Sequence, residues 1–364
     1  MQSTMSRLRQ QKGLTLIELM IAMVIGLLLL GGTISMFISN KRVYREQESM
    51  SRLQENARFA MTMLLHDIRM AGYTGCNDDS TKVNNHVSGA SGTNLLDFSN
   101  AIEGSENAGN WKPSNSTEVV GSMVAGTDGI SVRFLEDTGL SIETPYMTNS
   151  SSALHVNVNN GLMPGEIVGV ADCDSSDVFQ ISNANPDGTG TVDHNTGTGT
   201  PGNASKPFQK VYLGDASIVR FVARRYYIGT GAYGGPSLFR NLFSQDKDDS
   251  NGNGDTTEII QHSEELIEGV ENMQILYGED TAGADKIADT YVTADNVTNW
   301  SNVVSVRIAL LFRTIKPNTQ LDPDTGTYSL LGGTAAGGAS VGPMNDYYRR
   351  RVVTATVQIR NRSI

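Results

Sequence analysis

The chain has 364 residues, with 28 basic and 39 acidic side chains and a formal net charge of −11. Its 38 % apolar share, with 38 glycines, is a globular balance and excludes a wholly disordered chain. The acidic excess argues against nucleic acid as a partner, because duplex binding rests on basic patches against phosphates. A slightly negative mean hydropathy excludes a polytopic membrane protein but leaves room for one span.

That span lies near the start. Leu19 to Ser39 contains no charged side chain and is dominated by Leu, Ile, Met, Val and Gly. At 1.5 Å per residue it reaches roughly 31 Å, enough to cross a bilayer's hydrocarbon. Before it, Met1 to Gly13 carries Arg7, Arg9 and Lys12 and no acid. A basic stretch ahead of an apolar run also describes a secretory signal, but this run is longer and no small-x-small cleavage site follows it. Lys41, Arg42 and Arg45 on the far side balance the three basic residues in front, so charge alone sets no orientation. Glu18 interrupts the apolar pattern, and a carboxylate at mid-bilayer costs about 2.5–3.5 kcal/mol. It either snorkels at the interface or meets a cation, and cleavage after Gly13 would create one in the new α-amino group.

Gln11-Lys12-Gly13 followed by Leu14-Thr15-Leu16-Ile17-Glu18-Leu19-Met20 resembles the class III leader of type IV pilins and pseudopilins. The resemblance implies cleavage by a prepilin peptidase between Gly13 and Leu14, N-methylation of Leu14, and a filament-docking role for Glu18. The family usually begins its mature chain with phenylalanine, where this one has leucine.

From Lys41 to Ala71 there is no proline or glycine, and good helix formers dominate. Leu53, Ala57, Ala60, Met61, Leu64, Ile68 and Ala71 recur at spacings of three and four, which predicts an apolar stripe packed on a sheet. Arg45, Glu48, Arg52, Glu55, Arg58 and Asp67 are expected on faces that meet water or a neighbouring subunit. Gly72 should end the helix. Gly31-Gly32, late in the span, either lets helices approach closely or marks a place where the helix melts on entering a filament.

The stretch from Leu64 through Asp67 and Tyr73 to Cys76, and later Leu266 to Tyr277, resembles PilW-type minor pilins. This implies a pilin-like α+β fold: a long N-terminal helix, membrane-spanning in its first half, packed on an antiparallel β-sheet head with long loops. The expected divisions are a leader (1–13), a transmembrane and filament-core helix (14–40), the soluble half of the helix (41–72) and a globular β-rich head (73–364). Strands are expected at Asp128 to Leu135, Glu166 to Ala171, Val178 to Ile181, Ile218 to Ile228, Val303 to Phe312 and Val353 to Arg360, where apolar and polar residues largely alternate. Glu264 to Asn272 is expected as a short helix, and Asn183 to Asn203 as a low-complexity loop. Cys76 and Cys173, in an exported head, favour a disulfide.

Chemistry-bearing motifs are few. Asp249, Asn251 and Asn253 at alternate positions, then Gly254, Asp255 and Glu258, copy the first half of an EF-hand loop and suggest Ca²⁺, although its twelfth position is Ile260. The competing reading is an acidic hairpin tip with no ion. Gly229 to Gly234 matches a dinucleotide fingerprint but is followed by another strand, with no helix N-terminus to hold a pyrophosphate. The five histidines, at 66, 86, 155, 194 and 262, are isolated in sequence, and no enzyme motif stands out.

The resemblance therefore implies a minor pilin that primes or caps a type IV pilus, with a role in twitching motility and no enzymatic activity. Its partners would be the prepilin peptidase, other minor and major pilins, the inner-membrane assembly machinery and a tip adhesin, but not nucleic acid. It would sit in the inner membrane with its head in the periplasm, and then in the pilus near the tip. The alternatives are a pseudopilin of a type II secretion system and a membrane-anchored extracytoplasmic binding domain that never polymerises. Losing the leader's three positive charges would take the mature chain from −11 to −14.

Overall fold

The computed structural model describes residues 15–76, 82–88, 96, 100–114, 122–245, 259–283, 285–333 and 337–360. One helix, α1, runs Leu16–Met70. It stops where expected: Gly72 takes φ +75°, a left-handed conformation that costs glycine little. The Gly72 N–H then donates to the Arg133 carbonyl at 2.8 Å and turns the chain into the sheet.

Among the described residues the strands are, in chain order, β1 (Val83–Asn85), β2 (Ile102–Ser105), β3 (Trp111–Lys112), β4 (Gly129–Ser141), β5 (Leu154–His155) and β6 (Ile167–Ala171). Next come β7 (Ser176–Gln180), β8 (Thr191–Val192), β9 (Ser217–Thr230), β10 (Pro236–Gln245), β11 (Ile259–Glu268) and β12 (Val270–Glu279). The last five are β13 (Thr290–Val292), β14 (Val303–Arg313), β15 (Tyr328–Leu330), β16 (Ala339–Val341) and β17 (Arg350–Gln358).

The largest sheet has the order β1-β7-β6-β9-β4-β2-β3, and β10 joins β9 to β11. β9 is its hub. One edge of β9 pairs with β4; the other pairs with β6 through residues 217–220 and with β10 through residues 224–230. A second sheet has the order β13-β12-β14-β17, and β15-β16 and β5-β8 form two small ribbons. The ladders are antiparallel as expected, except that β1 runs parallel to β7.

Two expectations fail locally. Glu264 to Asn272 is not a helix: it is the end of β11, a turn at Gly269 with φ +85°, and the start of β12. Its glutamates and leucine suit a helix in isolation, but nine residue pairs with β10 and the pairing of β12 with β14 override that local preference. The stretch Asn183 to Asn203 is likewise not all loop. It contains β8 and a single helical turn, Pro186–Thr189, capped by the Asn185 side chain.

The chain divides into two compact units, Met1–Ser51 and Arg52–Ile364. In the second, all seven residues of the expected stripe are buried, Ala60, Leu64, Ile68 and Ala71 completely. They share one core with Ile130, Val132 and Phe134 of β4, Val222 and Tyr226 of β9, and Val306, Ile308 and Leu310 of β14. Full burial of each large side chain contributes about 1.5–3 kcal/mol.

Asp128 stitches the two sheets together just before β4. Its N–H donates to the Met273 carbonyl at 2.9 Å, and its carboxylate accepts from Ile275 N–H at 2.8 Å and Asn107 N–H at 3.1 Å. Burial pushes the Asp128 carboxyl up to about 6 despite those bonds. Burial, followed by the Asp128 charge, pushes Glu106 up to about 7.

Both groups hold protons in the folded state that the unfolded chain has released above roughly pH 4.5. Their stabilising effect is therefore complete below that pH and is lost as pH rises through 6 and 7. His194, held below its ordinary value mainly by burial, acts in the opposite direction over the acid part of this window. The comparison that isolates the carboxyls is wild type against Asp128→Asn/Glu106→Gln. Denaturation between pH 5 and 8 should show wild type losing more stability than the double variant, by no more than about 3 kcal/mol for Asp128. Parallel pH profiles would contradict this.

Candidate assembly helix and its anchorage

The helix opens with a reciprocal cap. Glu18 Oε2 accepts from the Thr15 N–H and the Thr15 hydroxyl, both at 2.9 Å, while the Glu18 N–H points at Thr15 Oγ1, 3.3 Å away. This is a capping box: threonine at the cap and glutamate three residues on satisfy each other's groups. The sequence reading gives Glu18 a partner in another subunit; within the chain it also starts the helix. Its second oxygen, Oε1, accepts no hydrogen bond from the described residues.

Downstream, the helix is long and apolar enough to cross a membrane, and none of its most apolar window is buried within the protein. Leu16, Leu27, Leu28, Leu29 and Phe37 are each at least two-thirds exposed. Such an apolar surface on every side requires lipid or other helices. Gly31 and Gly32 lie within the unbroken helix, and a Cβ added at either would meet nothing within 4 Å.

The second half is fixed to the head by a residue that the sequence reading places on a face meeting water or a neighbouring subunit. Asp67 is completely buried. Both its oxygens accept from Arg224 Nη1, at 2.7 and 2.8 Å, and Oδ2 also accepts from the Tyr226 hydroxyl. Arg224 and Tyr226 are two residues apart on β9 and so share a face of the hub strand. Burial and then the Asp67 charge raise the Tyr226 phenol far above its ordinary range, so it remains a donor. The correction has a clear cause: Ala60, Leu64, Asp67 and Ala71 follow one another at spacings of four, three and four, so Asp67 is in register with the apolar stripe. An acid in that register signals a buried cation.

Two further ties secure the head. Cys76 and Cys173 form a disulfide, with Cα atoms 4.6 Å apart and a sequence separation of 97. It joins the segment after α1 to the turn between β6 and β7. Arg350, at the start of β17, gathers Glu271 at 2.5 and 3.0 Å, Asp324 at 3.1 Å and Asp346 at 2.6 Å. Arg350 carried no signal in the sequence, since two of its three acids, Glu271 and Asp324, lie 79 and 26 residues away and only Asp346 is near.

Gly13 and Leu14, the expected cleavage site, lie outside the described residues, as do Asp249, Asn251, Asn253, Asp255 and Glu258 of the expected calcium loop. Among the described residues, no cluster of three or more His, Cys, Asp or Glu side chains is arranged to hold a metal. The Gly229 to Gly234 stretch is the hairpin between β9 and β10, closed by Gly231 N–H to the Gly235 carbonyl at 2.7 Å.

Residues 8–34 match the family model of the prokaryotic N-terminal methylation motif, and residues 225–361 match that of PilW, the type IV pilus-assembly protein W. No curated protein and no solved structure matches the chain. The first match covers the cap and the apolar half of the helix. The second covers the last six residues of β9, including Tyr226, and the second sheet with Arg350.

Asp67→Ala should destabilise the head by about 3 kcal/mol in chemical denaturation, because it strands a largely buried guanidinium and a buried phenol. Asp67→Asn, which keeps an acceptor for Tyr226 but loses the charge, should fall between the two. A loss below about 1 kcal/mol for Asp67→Ala would contradict the anchoring role.

Proposed function

The chain is a pilin of the PilW family, and from that premise we propose that it is a minor subunit that primes or caps type IV pilus assembly. The observation that carries the reading is a methylation motif leading directly into a helix whose most apolar window is not buried against the described residues. A helix of that kind is stored in a bilayer and transferred into a bundle of like helices, where dispersion and close packing replace lipid contacts.

In this reading the prepilin peptidase cuts between Gly13 and Leu14 and methylates the new amine of Leu14. Residues 14–40 hold the subunit in the inner membrane, residues 41–72 continue the helix into the head, and the head from residue 73 lies in the periplasm. On assembly Glu18 accepts a charge-assisted hydrogen bond from the N-terminal amine of a neighbouring subunit. The capping box leaves Oε1 available for that contact. Gly31 and Gly32, which no contact within the chain requires, are where the helix loosens or another helix comes close. The other pilins and the inner-membrane assembly machinery are its partners, and its place is near the tip. This role is structural and calls for no catalytic chemistry.

Glu18→Ala should be cleaved and inserted like wild type but fall at least tenfold in sheared pili relative to membranes, measured by immunoblotting both fractions. The tenfold figure corresponds to about 1.4 kcal/mol, within the range of one charge-assisted hydrogen bond. Equal incorporation of the variant would remove the docking role.

A further inference from the structure

The sequence leaves the five histidines isolated; the fold does not. The segment 86–88 pairs with residues 202–204: Val87 bridges Asn203, Ala204 N–H donates to the His86 carbonyl at 2.7 Å, and Ser88 N–H donates to Gly202 at 2.9 Å. The Asn203 side chain is tied to the Gln180 carbonyl at 2.8 Å, and the Gln209 N–H donates to Asp177 Oδ2 at 3.2 Å. Ser205 is thus held in frame from both sides. Its Oγ lies 2.6 Å from His86 Nδ1, and His86 Nε2 lies 2.6 Å from Asp177 Oδ1. Asp177 and His86 are buried, while Ser205 is exposed.

Proton positions follow from the acceptors. Asp177 already receives the Tyr212 hydroxyl at 2.6 Å and Asn84 Nδ2 at 3.1 Å, so it is an acceptor surrounded by donors. His86 Nε2 lies 2.8 Å from Asn84 Nδ2 and 2.6 Å from Asp177 Oδ1; the Asn84 amide is already spent on Oδ1, and a lone pair on Nε2 would face that closer carboxylate oxygen, so Nε2 carries the hydrogen. The neutral ring then presents its lone pair at Nδ1, and the Ser205 hydroxyl donates to it. Phe208 packs edge-on against the imidazole, with ring centroids 5.5 Å apart, and holds its plane. A surface hydroxyl, a base in hydrogen-bond contact with it and a buried carboxylate orienting that base are the three roles of an activated serine, whatever the fold. Tying the 203–209 segment to the sheet would not require the third link, since the backbone pairing and the Gln209 bond already do so.

We propose that Ser205 is a nucleophilic acyl acceptor on the head, with His86 as its general base and Asp177 as the residue that positions His86. Its substrate class is an activated carboxylic ester. Oγ bonds to the ester's carbonyl carbon as its proton passes to His86 Nδ1. Collapse of the adduct breaks the bond to the alcohol oxygen, and the alcohol leaves with that proton. The products are acyl-Ser205 and free alcohol; nothing is oxidised or reduced, and Asp177 stays ionised beside the transient imidazolium. This chemistry is independent of docking at Glu18.

The test treats the full-length, detergent-solubilised protein with a fluorophosphonate probe and maps adducts by peptide mass spectrometry. The serine oxygen would bond to phosphorus as fluoride leaves. The expected result is an adduct at Ser205 that is absent in Ser205→Ala and forms at least about 100-fold more slowly in His86→Gln. Because His86 is buried, a second arm uses Ser205→Cys: its thiol should be alkylated by iodoacetamide at neutral pH faster than the same thiol in the denatured chain. No adduct at Ser205 would overturn the proposal. So would an undiminished rate in a His86→Gln protein that melts like wild type, or a Ser205→Cys thiol no faster folded than unfolded.

Discussion

The buried contact of Asp67 with Arg224 and Tyr226 is the constraint on which the architecture turns. A helix with an apolar stripe can rotate or slide over a sheet at modest cost, because dispersion contacts are numerous and individually weak. A charged group inside the stripe removes that freedom, since only one rotation and one register bring the carboxylate to its guanidinium. Because the partners sit on β9, which pairs with β4, β6 and β10, fixing the helix to this strand fixes it to the whole large sheet. Asp128, bound to Met273 and Ile275 on β12, carries the same frame into the second sheet.

Among the described residues, the core of the head takes Leu53 to Ala71, and the large apolar side chains from Leu16 to Ile38 are exposed. In the proposed role this is the useful division: exchanging lipid for neighbouring helices would alter the surroundings of one half while the other keeps its packing. The disulfide limits how far the segment leaving α1 can open, and by the chain-entropy argument closing so long a loop stabilises the folded state by at most about 4–5 kcal/mol.

Much of this was legible in the residues. The stripe from Leu53 to Ala71, the stop at Gly72 and the strands around Val132, Val168, Val222 and Ile308 follow from periodicity and turn chemistry, which are local properties, and the pairing of Cys76 with Cys173 follows from there being just two cysteines in an exported head. What was not legible depends on distant partners. Asp67 read as a surface acid because its cation lies 157 residues away. The Glu264 to Asn272 stretch read as a helix because its strand pairing with β10 is tertiary. His86 read as isolated because Asp177 and Ser205 are 91 and 119 residues distant. In the first and third cases the partners of a polar group come from far along the chain, where no local pattern reveals them.

In the proposed function the chain is a processed filament subunit and not a permanently anchored domain. The most direct test of this is the N-terminal mass of the protein recovered from membranes and from pili. The account predicts a chain that begins at Leu14 and carries one additional methyl group on its amine. A chain that still begins at Met1 or Met5 in both fractions would contradict it.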